Sequence, residues 1–129
     1  MKLYERIIND QRHRIQPGEL TEIHVIMGPD DKPCEIQFHT LLNGMHQIWN
    51  CTTLRYDEQE LKALAGSRDM IALVGLAHAM WADGNKVRYQ IRWAPSTNCT
   101  ATATWDILDT TRTFDTISVH LISHDTGIS

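Results

Sequence analysis

The sequence predicts an α+β fold of order α-βββ-αα-βββ: an N-terminal helix, two antiparallel three-stranded β-meanders separated by a helical pair, and a buried helix packed on the sheet. Three observations lead there. Apolar residues alternate with polar ones in short stretches, the period-two pattern of strands with one buried face. At the N-terminus they recur instead at the helical period, and over residues 68–82 they occupy nearly every position. Turn-forming clusters then divide the strands into two groups flanking the helical stretch. Antiparallel strands with one apolar face need a covering layer, and the helices supply it.

Each element follows in order. Over 2–15, Leu3, Tyr4, Ile7, Ile8 and Ile15 share one face, while Lys2, Glu5, Arg6, Asn9, Arg12 and His13 take the remainder. The stretch QPG at 16–18 ends this helix. Residues 20–54 read as the first meander. Ile23, Val25 and Met27 line one side of its first strand, and GPDDKP is a turn. Asn43-Gly44 signals a two-residue hairpin loop, because both residues tolerate the positive φ of a type I′ turn. That loop pairs Leu42 with Met45, Thr40 with Gln47, Phe38 with Trp49 and Ile36 with Cys51, all on one mainly apolar face. Turn and pattern agree on this register, and a one-residue slip would invert every side chain.

Residues 57–82 read as two helices. Asp57 followed by Glu60 resembles a capping box, Gly66 suits the end of the first helix, and Ser67 can cap the second. RDMIALVGLAHAMWA is apolar nearly all round and belongs in the interior. Residues 86–123 form the second meander. Val87, Tyr89, Ile91 and Trp93 face inward, as do Cys99, Ala101, Ala103, Trp105 and Ile107, and then Ile117, Val119 and Leu121. APSTN and DTTRT read as its turns. The pattern leaves the strand order open, with one six-stranded sheet, two sheets or a partly closed barrel all compatible.

Composition bounds the function. At 129 residues the chain is expected to form a single globular domain, residues 1–129, large enough to bury a core. A net charge of -4 argues against whole-chain affinity for nucleic acid or an anionic membrane, while allowing a local basic patch. No apolar run reaches the ~20 residues that span a bilayer, and the charged N-terminus has no signal-peptide apolar region. The expectation is a cytoplasmic protein with reduced cysteines. Its three cysteines make no disulfide framework. The repeated triplet Asn50-Cys51-Thr52 and Asn98-Cys99-Thr100 reads as strand-end chemistry, with both cysteines pointing inward.

The first meander gathers a chemical cluster. Carrying its register through GPDDKP sets Val25 opposite Ile36 and Glu22 opposite His39. Glu22, His24, Glu35, Gln37, His39 and His46 then share the outward face. His39 and His46, with Glu22, are the candidate acid–base residues, since imidazoles titrate near neutrality. His39 and His46 are also the one pair placed to share a metal, although no recognised ligand spacing supports a metal site. The plainer reading of these histidines is a solvated polar face. Arg88, Arg92, His120 and His24 are the candidate ligand-binding residues, cations and imidazoles facing outward from strands. Lys86, Arg88 and Arg92 form a basic strand whose aromatic neighbours point the other way, toward the core. His78 lies on the apolar helix and is expected to hold one hydrogen bond.

No GxSxG, Walker loop, GxGxxG or HExxH occurs. The expected function is therefore binding rather than catalysis. The first expectation is a small homo-oligomeric interaction protein, of the phage or mobile-element accessory kind, that inhibits or sequesters a host factor or a small anionic ligand. No cofactor is expected; the partners are the chain itself and an unidentified protein or small anionic ligand, with neither membrane nor nucleic acid favoured. Two alternatives stand beside it: a hydrolase or lyase acting on a phosphorylated or nucleotide-like ligand through the histidines, and a nucleic-acid module using residues 86–92.

Overall fold

The computed structural model describes residues 1–28, 32–52, 55–65, 68–93, 101–113 and 116–124. Helix α1 (Leu3–Gln11) is followed by strands β1 (Leu20–Met27), β2 (Pro33–Leu42) and β3 (Met45–Thr52). Helices α2 (Glu58–Leu64) and α3 (Arg68–Trp81) lead to β4 (Val87–Trp93), β5 (Ala101–Arg112) and β6 (Ile117–Ser123). The fold is α+β, as the sequence predicts. The strand order left open by the pattern resolves as one mixed six-stranded sheet, β3-β2-β1-β4-β5-β6.

The two meanders meet at the centre, where β1 and β4 run parallel and every other pair is antiparallel. A parallel neighbour needs a long crossover connection, and the helical pair between the meanders supplies it. Helix α3 lies on one face of the sheet, over β5, β6 and part of β1, and α1 packs on α3. The core fills this side. Leu20, Ile23 and Val25 of β1 are fully buried with Ile36, Phe38 and Tyr89. Phe38 meets Trp81 of α3 edge to face, with ring centroids 5.5 Å apart.

Local chemistry fixes these elements as the sequence suggests. Asn43 and Gly44 both take positive φ, 52° and 79°. The hairpin register they set is the expected one, including Phe38 opposite Trp49 and Ile36 opposite Cys51. Asp57 caps α2 by accepting a hydrogen bond from the Gln59 backbone N–H at 2.9 Å. Helix α1 ends at Gln11, earlier than the pattern implies, but Ile15 beyond it is still buried. The proposed caps Gly66 and Ser67, the APSTN loop, and Cys99 with Thr100 lie outside the described residues.

One expectation fails. DTTRT (109–113) is not a turn; β5 runs on through Arg112. A register shift between Ile107 and Asp109 against β6 inserts a bulge at Leu108. The bulge inverts the alternation, so Thr110, not Asp109, faces α3. Thr110 and His78 then share a 2.9 Å hydrogen bond, the single partner expected for that histidine.

Candidate functional site

The face of the sheet opposite the helices is built from side chains that the strand registers align in rows. One row crosses all six strands: Ile48 on β3, His39 on β2, Glu22 on β1, Arg88 on β4, Asp106 on β5 and Ile122 on β6. The next row carries Asn50, Gln37, His24, Gln90 and Thr104, and the one after it Glu35, Ile26, Arg92 and Thr102. The sheet thus unites residues from both halves of the chain. Glu22 and His24 come within reach of Arg88 and Arg92 because β1 and β4 are neighbours in register.

At the centre the histidine rings pack on one another and bond to neighbouring polar side chains. The rings of His24 and His39 stack with centroids 4.1 Å apart, and His46 lies 5.4 Å beyond His39. His24 Nε2 is 2.8 Å from Glu22 Oε1, and its Nδ1 is 3.4 Å from Arg92 Nη2. A guanidinium only donates, so Nδ1 accepts from Arg92 and the Nε2–H donates to the carboxylate. His39 Nε2 is 3.0 Å from the Gln37 side-chain oxygen and donates to it. The cluster reverses one expectation: His39 is not solvated but only 7% exposed. Burial is the first cause that lowers its pKa to about 4, with the charges of its neighbours, His24 foremost, adding smaller effects.

Of the candidate residues, Glu22, His24, His39, His46 and Arg92 form this cluster. Arg88 lies in the same row as Glu22 and His39 but donates from Nε to Asp106 Oδ1 at 3.2 Å. That hydrogen bond is the main reason the Asp106 carboxyl is held below the usual carboxylate range. His120 is not part of the cluster; it lies on the edge strand β6, with Nδ1 3.8 Å from Asp109 Oδ2. Among the described residues, no three His, Cys, Asp or Glu side chains form a group able to hold a metal ion. Stacked imidazoles present their faces to one another, not converging lone pairs.

Around the polar centre lie apolar side chains with much of their surface in water. Leu41 is 47% exposed, Ile48 50%, Leu108 56% and Ile122 53%. Leu41 and Ile48 flank the cluster on β2 and β3. Leu108 and Ile122 edge a groove of about 440 Å³ on the other half of the face, together with Glu22, Lys86, Arg88 and Asp106. Alternation from inward-facing Ile107 and Leu121 turns Leu108 and Ile122 outward, but only the strand pairing shows that they edge one groove with Arg88 and Asp106.

Among the described residues, no helix is long and apolar enough to cross a membrane. The fold and face together describe a small α+β protein with helices on one side of its sheet and, among the described residues, a mixed polar and apolar surface without a covering element on the other. No protein-family model matches the chain, and no curated protein or solved structure does so at a significant level.

Proposed function

We propose that this chain is a protein-interaction module, not an enzyme, and that its contact surface is the outer face of the sheet. The observation that carries this reading is the pairing of four half-exposed aliphatic residues with a polar centre whose groups already bond one another. Isolated surface aliphatics are ordinary, but several gathered on one face, interspersed with polar groups, are what protein interfaces present. The histidines support binding over acid–base chemistry. Both ring nitrogens of His24 are engaged, by Glu22 and Arg92. His39 is a weakened base, its pKa brought to about 4. The basic strand supports the same choice: Asp106 pairs with Arg88 and offsets its charge, which weakens the strand as a phosphate-binding surface. Inhibition or sequestration of another protein, the role expected of an accessory chain, is one that such a face can serve.

The test is site-specific photo-crosslinking in cells producing the full chain. A photoreactive residue at Ile48 or Ile122 reports on the outer face, and one at Ala79, exposed on α3, reports on the helix face. Protein adducts from Ile48 and Ile122 but not from Ala79 are expected. Adducts from the helix face alone would overturn the reading.

A further inference from the structure

The geometry points to a second copy of this chain as the occupant of the outer face, with the two sheets packed face to face about a two-fold axis that runs along the strands between β1 and β4. This inference rests on the outer-face reading and adds the identity of the partner. The main row reads Ile48, His39, Glu22, Arg88, Asp106, Ile122. Such an axis lays the row over its own reverse. Ile48 then meets Ile122 of the second copy, His39 meets Asp106, Glu22 meets Arg88, and each contact occurs twice, as an isologous interface requires. The neighbouring row is compatible, since it sets Gln37 against Thr104 and His24 against Gln90, with no like charges opposed.

Shape and area agree with charge. The groove beside Arg88, Asp106, Leu108 and Ile122 lies on the half of the face that would receive Leu41 and Ile48 of the second copy. All four half-exposed aliphatics would therefore be covered together. A two-fold perpendicular to the strands does not achieve this: through the main row it would set Glu22 against Glu22 and Arg88 against Arg88, and midway to the next row it would set Ile48 against Asn50. Six strands at ~4.8 Å spacing and about eight residues at ~3.3 Å give a face of roughly 700 Å². That is close to the ~800 Å² per partner of a standard stable interface. Aligned sheets also pack with strands within about 30° of each other, which this axis allows.

The test is light scattering and sedimentation on the purified full chain at about 50 μM, with Glu22→Arg and Arg88→Glu made separately. The wild type is expected at the mass of two chains. Each single variant places like charges opposite one another at both contacts and should weaken self-association about tenfold or more. Mixing the two variants should restore a heterodimer, because Arg at 22 of one chain then faces Glu at 88 of the other while the second contact, Glu22 with Arg88, is the native one. A change within one chain cannot produce that rescue. Ile48→Asp, at a half-exposed position, is a second variant expected to dissociate the dimer without disturbing the core.

A wild-type monomer would overturn the inference, as would a dimer equally tight in all three variants or a mixture that fails to associate. The crosslinking experiment is decided independently of these outcomes. Adducts from Ile48 to a different protein would keep the outer-face reading while the self-pairing fails.

Discussion

His39 is the residue at which burial and charge act most visibly. Its pKa is about 4 in the fold against 6.5 for a free imidazole. Between those values the unfolded chain binds more protons than the folded one, so stability rises with pH there. The contribution is fully present above about pH 6.5 and is lost as the pH falls toward 4; a shift of this size is worth on the order of 3 kcal/mol. The urea midpoint is therefore expected to drop between pH 7.5 and pH 5, and His39→Gln should remove much of that drop; an unchanged pH slope in the variant would refute the assignment. The cysteines make a second contrast. Cys51 is buried, and burial raises its thiol pKa to about 12, whereas Cys34 is exposed. A thiol reagent on native protein at pH 7.5 should modify Cys34 rapidly and leave Cys51 unmodified, as peptide mass mapping will read. The side of the sheet that His39 and Cys51 occupy is legible from alternation alone. The burial of His39 is not, because it comes from the rings stacked around it, which only the assembled sheet brings together.

The elements show where periodicity is informative and where it stops. Asn43-Gly44 and the alternation of β2 and β3 together determine one register, and that register carried through to β1 places Glu22 against His39 correctly. On β5 the same method fails at Leu108, because a single inserted residue reverses which side chains face the core. By alternation, Asp109 and Thr111 then look like turn residues. Close approach of α3 to the sheet is equally silent in the sequence. Gly75 lies over β6, where an added Cβ would come within 2.4 Å of Ile117 Cγ2 and 2.8 Å of Val119 Cγ2. Alanine is favoured over glycine in a helix by up to about 1 kcal/mol. Here the overlap is with branched side chains held in the sheet, so strain of about 1–3 kcal/mol should outweigh the propensity gain. Gly75→Ala is expected to lower the thermal midpoint, and a rise would show that α3 can lift from β6 without loss.

At the scale of the whole molecule, the decisive feature is the parallel pairing of β1 with β4. Each meander is foreseeable from local pattern, but their junction is not, since both strands are apolar on the same face and either could have been an edge. Joining them places Ile23 opposite Tyr89 and Val25 opposite Ile91 at the middle of the sheet. Ile23, Val25 and Tyr89 are buried in one core shared with α3, so neither meander keeps its apolar face covered without the other. The same junction creates the row from Ile48 to Ile122 on the outer side. Core and candidate interface thus depend on one pairing, and the two halves should unfold together. Pulse labelling with deuterium across a urea series tests this: peptides from β2–β3 and from β4–β5 are expected to lose protection at the same urea concentration. Ile23→Val, which removes one buried methylene at the junction at a cost of about 0.5–1.5 kcal/mol, should move both transitions down by the same amount. Loss of protection in one meander at a lower urea concentration than the other would mean that β1 and β4 merely abut, and that the outer face is assembled from two independently stable parts.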